Sequence, residues 1–156
     1  MFTKAQVFYT LSVPIEDIIE WAIALLILGY DSPNLRILAG LTPVNDRWEV
    51  TYYVNKTLED FNLAELTGKT AVFAYTSVIL RDFLVGKVSQ EKMLGEIYEL
   101  SLSWGYLEEI YDFYLLWNAV YDLKYNDIQF YWPNLTRDNV DTIIREEAQK
   151  WLKKYG

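Results

Sequence analysis

Apolar residues recur at three-and-four spacing along most of this chain, the period of one face of an α-helix. The pattern is clearest over residues 13 to 41, VPIEDIIEWAIALLILGYDSPNLRILAGL. There Ile15, Ile18, Ile19, Ala22, Ile23, Leu26 and Ile27 share a face, and Glu16, Asp17 and Glu20 lie opposite in the first turns. Pro14 suits a first turn, where its missing N–H costs nothing, and the early acids complement the positive end of the helix dipole. From 21 to 28 the polar face disappears, so the second half of this helix is predicted to run through the middle of the core. Gly29 can close it in a left-handed conformation. Asp31-Ser32-Pro33 then combines a capping side chain with a proline at the first helical position, restarting a helix over 34 to 41.

The same reading gives a helix over 46 to 61, capped by Asn45, with a stripe of Trp48, Tyr52, Leu58 and Phe61 beside Val50, Tyr53 and Val54. Residues 69 to 85 carry β-branched side chains that would suit a strand, but the charge-free run from 70 to 80 is too long for most strands, so a helix is predicted. Ser89 caps a helix over 90 to 103, with Met93, Leu94, Ile97, Leu100 and Leu102 inward. Gly105 divides it from a helix over 106 to 124, whose apolar and aromatic residues leave little room for a purely solvent face. Residues 125 to 135 are a loop or a brief extended piece, and a last helix runs from 136 to 155. Residues 3 to 12 read equally as a short helix or an extended arm. The expectation is an all-α protein: one domain over 1–156, built as a bundle or as stacked helical hairpins of six to seven helices.

Composition narrows the chemistry. The chain has no Cys and no His, which excludes disulfides, thiolate and imidazole metal sites, and Ser-His-Asp or Cys-His catalysis. No cofactor is expected, and the chain reads as not being an enzyme. At 52% apolar and 17% aromatic it has ample material for a packed core. The start shows no clear signal-peptide core, and no apolar run approaches the roughly 18 residues a membrane span needs, so a soluble cytoplasmic protein is expected.

The net charge of −8 is uneven: −3 over residues 1 to 88, −7 over 89 to 141 and +2 over 142 to 156. Acidity therefore concentrates where most Trp and Tyr are. Clustered Lys and Arg, which phosphate backbones require, are missing, so nucleic acid is not an expected partner unless the small basic end acts alone.

Two candidate sites follow. Glu108 and Asp112 are four apart and share a helix face with Glu109 beside them, the spacing a carboxylate metal site would use. Di-metal bundles add a histidine to such glutamates, so here the set reads as a solvated acidic face and no metal is expected. The second candidate is the aromatic run around Tyr106, Tyr111, Tyr114, Trp117, Tyr121 and, further on, Trp132. Part of it must be core, but aromatics interleaved with acids also resemble an interface whose anchors are rimmed by charge.

The segment WAIALLILGYDSPNLRILAGL resembles short helical bacterial proteins of unknown function that share an apolar helix, a D-S turn and an L-x-x-L-A-G-L segment. Membership of that group would imply an immunity or accessory role in a contact-dependent competition system. The resemblance covers the first third of the chain, carries no catalytic residue, and implies an immunity-type role. The leading expectation is thus a protein-binding module, an inhibitor of a basic toxin or another basic partner. Two other classes stand beside it: a small-molecule binder or carboxylate enzyme with an aromatic-lined pocket, and a homo-oligomeric structural protein.

Overall fold

The computed structural model describes Val7 and residues 13 to 156. The reading of residues 3 to 12 lies outside the described residues, Val7 excepted. Among the described residues the chain is all-α: α1 (Ile15–Ile27), α2 (Pro33–Gly40), α3 (Arg47–Asp60), α4 (Gly68–Leu84), α5 (Gln90–Ser103), α6 (Glu108–Tyr125) and α7 (Val140–Tyr155), with no strand. The chain forms two compact units, with the boundary between Tyr75 and Thr76 inside α4.

In the first unit α1 packs on α2 and α2 on α3. Ile18, Trp21, Ala22 and Leu25 meet Leu35 and Leu38, and Val50, Val54 and Leu58 complete the cluster. Gly29, at φ 85°, takes the left-handed turn that ends α1. The Ser32 hydroxyl then caps α2 by accepting from the Leu35 amide at 3.1 Å, with Pro33 first in the helix. Asp31 pairs with Arg36 and does not cap. Asn34 donates to both oxygens of Asp60 at 3.0 and 3.1 Å, tying α2 to the end of α3.

Three expectations need correction here. The second half of α1 does not run through the core: Ile23, Ile27 and Leu28 are exposed, Ile27 at 80%. A residue class does not fix a face, and the inward face of α1 is the one carrying Ile18, Trp21, Ala22 and Leu25. The stripe predicted for α3 is rotated for the same reason. Val50, Val54, Thr57 and Leu58 are buried, while Trp48 is 74% exposed and stacks on the exposed Tyr52 at 5.9 Å. Finally, Asp46 caps α3, accepting from the Trp48 amide. Asn45 instead accepts from the Thr42 amide and hydroxyl and donates to Glu49, which closes the preceding turn.

In the second unit α5 packs against α6. Met93, Leu94, Ile97 and Leu100 are buried, but Leu102, expected inward, is exposed near the end of α5; Ile110, Phe113, Leu116, Ala119 and Leu123 of α6 and Ile144, Ala148 and Trp151 of α7 are buried too. The Trp117 ring packs over Gly95, where a Cβ would be in van der Waals contact with it at 3.4 Å and a larger side chain would crowd it. Trp151 donates its indole N–H to the Glu109 carbonyl at 2.6 Å, joining α7 to the first turn of α6. The last helix starts at Val140, not at 136, because Asn139 turns back to accept from the Thr136 amide and donate to the Asn134 carbonyl.

The loop between α6 and α7 is irregular and wound on two side chains. Gln129 accepts from the Tyr131 and Trp132 amides and donates to the Trp132 and Leu135 carbonyls. Arg137 donates to the Leu123 and Asn126 carbonyls and to Asp127. Within this loop Ile128 and Phe130 are exposed and Trp132 is half-buried.

Candidate functional site

The sequence-predicted residues fall on three neighbouring surfaces of the second unit, all built on α6. The first is a row of tyrosines. Tyr114 lies parallel to Tyr98 of α5 at 5.2 Å and 5°, and parallel to Tyr111 at 5.3 Å and 13°. Trp117 extends the row from Tyr98 at 5.6 Å. Tyr111 and Tyr114 are three apart on one helix, and the close packing of α5 on α6 supplies Tyr98 from across the hairpin. Tyr98 was not singled out in the sequence, because nothing local marks which α5 residue faces which α6 residue.

Tyr106 stands at right angles to the row, 82° to Tyr111 and 85° to Tyr114. It is held there by the turn between α5 and α6. Gly105 ends α5 at φ 64°, and Tyr106 follows in the same left-handed region at φ 61°, its amide donating to the Ser101 carbonyl at 2.8 Å. Two successive left-handed residues are expected only of Gly or Asn, and a bulky side chain there is strained. Tyr106, Glu108, Tyr111 and Tyr114 together line an open pocket of about 440 Å³. Tyr106 and Tyr111 are 51% and 37% exposed. The expectation that this helix has little room for a purely solvent face is therefore corrected: Tyr111 and Tyr121 are both exposed.

The second surface is the acidic one. Glu108 and Asp112 are exposed as expected, but Glu109 is half-buried, so the set is not a uniformly solvated face. It also has basic neighbours. Glu108, Glu109 and Asp112 line a pocket of about 220 Å³ with Lys150, Lys154 and Glu147 of α7. Lys150 is held above its ordinary pKa by its hydrogen bond to Glu147 and, more weakly, by the field of Asp112. Lys154 is raised chiefly by Tyr155, with Glu108 and Glu109 adding to it. The sequence placed the basic end of the chain apart from the acids, but Lys150 and Lys154 of α7 line the same pocket as the acids of α6. Among the described residues no group of three acidic side chains is positioned to hold a metal ion.

The third surface takes Trp117 and Tyr121 to a groove of about 480 Å³, lined also by Leu94, Val120, Leu123 and Val140. Glu91 is the one carboxylate among its lining residues, and it faces Lys124 at 3.6 Å. Trp132 joins none of these surfaces. It is half-buried in the α6–α7 loop, its backbone bonded to Gln129. Its neighbour Tyr131 lies within electrostatic reach of Tyr98, whose phenol is raised above its ordinary pKa first by burial and then by Tyr114 and Glu99.

No known protein family, curated protein or solved structure matches this chain. No helix among the described residues is long and apolar enough to cross a membrane.

Proposed function

We propose that the chain is a protein-binding module, an immunity-type inhibitor whose contact is the tyrosine row and acidic edge of α5 and α6. The observation that carries this reading is the row itself. Tyr98, Tyr114 and Tyr111 are preordered by stacking, and Tyr106 and Tyr111 remain partly open to solvent beside Glu108. Rigid aromatic anchors rimmed by charge are what interface centres are enriched in, because they bring large apolar area at small cost in side-chain entropy. The −7 charge of residues 89 to 141 favours a basic partner by steering its approach.

The test is site-specific photo-crosslinking in a lysate of the native host. A benzophenone side chain at position 111 is expected to capture one protein of basic composition, and the same group at the exposed Thr142 is expected to capture none. With that protein purified, replacing the two exposed acids together (Glu108→Lys, Asp112→Lys) should weaken binding at least about tenfold, equivalent to one charged contact. Unchanged affinity would sink the proposal.

A second reading, small-molecule binding, is favoured by the groove around Trp117, whose volume lies within the roughly 300–1,000 Å³ of ordinary ligand sites. Its apolar walls suit a hydrophobic ligand. A third, self-association, is favoured by the exposed Ile23, Ile27 and Leu28 of the first unit.

A further inference from the structure

We infer that the pocket of Tyr106, Glu108, Tyr111 and Tyr114 is a receptor for one arginine side chain of the basic partner; the inference rests on the reading above for the source of that arginine. The argument is geometric. Tyr114 has parallel rings beside it in both Tyr98 and Tyr111, so its faces are already engaged. Tyr111 ends the row, is 37% exposed and lines the pocket, so it is the ring on which a further flat group would stack. Tyr106, perpendicular to the row, closes a second side of the pocket.

Glu108 lies three residues before Tyr111 on the same helix, so the two share a face, and Glu108 lines the same pocket. A planar cation with N–H donors around its rim satisfies both walls at once, by stacking on the phenol ring and hydrogen bonding the carboxylate. A lysine ammonium is a poorer fit. It is attracted by free ring faces on several sides, and the row has used most of its faces on itself. A neutral ring, such as a sugar, would stack but bring no charge to the Glu108 carboxylate.

The local field points the same way. Glu108, Glu109, Asp112 and Glu147 line the adjoining pocket with Lys150 and Lys154, so acids outnumber bases among its lining residues, and Lys150 is tied to Glu147. Tyr106 supplies an independent indication. The chain holds a bulky residue in a left-handed conformation at the position whose ring closes the pocket, and backbone strain of that kind gathers at sites of recognition. The pocket is open, which suits a side chain reaching in from a large partner better than an enclosed ligand.

The experiment uses the full chain and small probes, so its outcome does not depend on finding the partner. Ring signals of isotopically labelled tyrosines are followed by NMR during titration with N-acetyl-arginine N-methylamide, its lysine counterpart, and N-acetyl-citrulline N-methylamide, the uncharged planar isostere. Saturable shifts at Tyr106, Tyr111 and Tyr114 are expected with the arginine probe. Both other probes should bind at least about tenfold more weakly, the equivalent of one charge-assisted hydrogen bond. Glu108→Gln should weaken the arginine probe to the level of citrulline, and Tyr106→Gly should weaken it while leaving the circular dichroism spectrum of the fold unchanged.

The inference is overturned by absence of saturable shifts, by equal binding of citrulline or lysine, or by an unaffected Glu108→Gln variant. If crosslinking at position 111 succeeds while the arginine probe does not bind, the binding face stands and this inference alone falls.

Discussion

Replacing Tyr106 separates what its ring contributes from what its backbone costs. Its φ of 61° places Cβ against the following carbonyl, a penalty of about 1–2 kcal/mol for any residue but glycine. Glycine lacks that penalty but loses about 0.5–1 kcal/mol more chain entropy on folding, so Tyr106→Gly should be more stable than Tyr106→Ala by about 0.5–1 kcal/mol. Both variants lose the edge contacts to Tyr111 and Tyr114, worth about 0.5–1.5 kcal/mol each when buried and less for a half-exposed ring. The expected order of stability is Tyr, then Gly, then Ala, with the alanine variant about 1–2 kcal/mol below the wild type. Urea unfolding followed by far-ultraviolet circular dichroism measures this, provided the denaturant slopes agree between variants. An alanine variant as stable as the glycine variant would refute the left-handed assignment and the strain argument built on it.

Other expectations concern the packing and the surface. Leu116→Ala, at a fully buried position, should cost about 2–5 kcal/mol, whereas Trp48→Ala, despite removing a larger side chain, should cost under about 0.5 kcal/mol in the same unfolding assay. Gly95→Val should push Trp117 from its place, cost about 1–3 kcal/mol and alter the tryptophan emission. The Asp60 carboxyl is held below its ordinary pKa, first by the Ser32 hydroxyl and then by Asn34. Its folded pKa is thus lower than its unfolded one, so its contribution to stability is full above the ordinary carboxylate range and is lost as pH falls through the lowered value. Ser32→Ala should move the Asp60 titration upward in a carboxyl NMR pH series and also remove the α2 cap, at about 1 kcal/mol. If the first unit self-associates through Ile27 and Leu28, light scattering should show a dimer that Ile27→Glu dissolves.

Helix content and most helix ends were readable from spacing and punctuation. Gly29, the Pro33 start of α2 and the Ser89 cap each act locally, so a linear string suffices to find them. Which face turns inward was less legible. Trp48 and Ile27 are as apolar as their buried neighbours, and only the rotation of each helix against its partners decides between them. The candidate site was legible in part for the same reason. The three-residue spacing of Tyr111 and Tyr114 placed them together, but Tyr98, Lys150 and Lys154 reach the site from other helices, and no local pattern reports such pairings. Trp132 shares composition with the α6 aromatics and not their position, because Gln129 folds its loop into a separate turn.

The most direct test of the proposed interface is the affinity of the crosslinked partner for Tyr111→Ala, measured by calorimetric titration against the wild-type chain. Removing the anchor at the open end of the tyrosine row should cost at least about 2 kcal/mol, a fall of roughly thirtyfold. An affinity equal to that of the wild type would contradict the claim that this face recognises the partner.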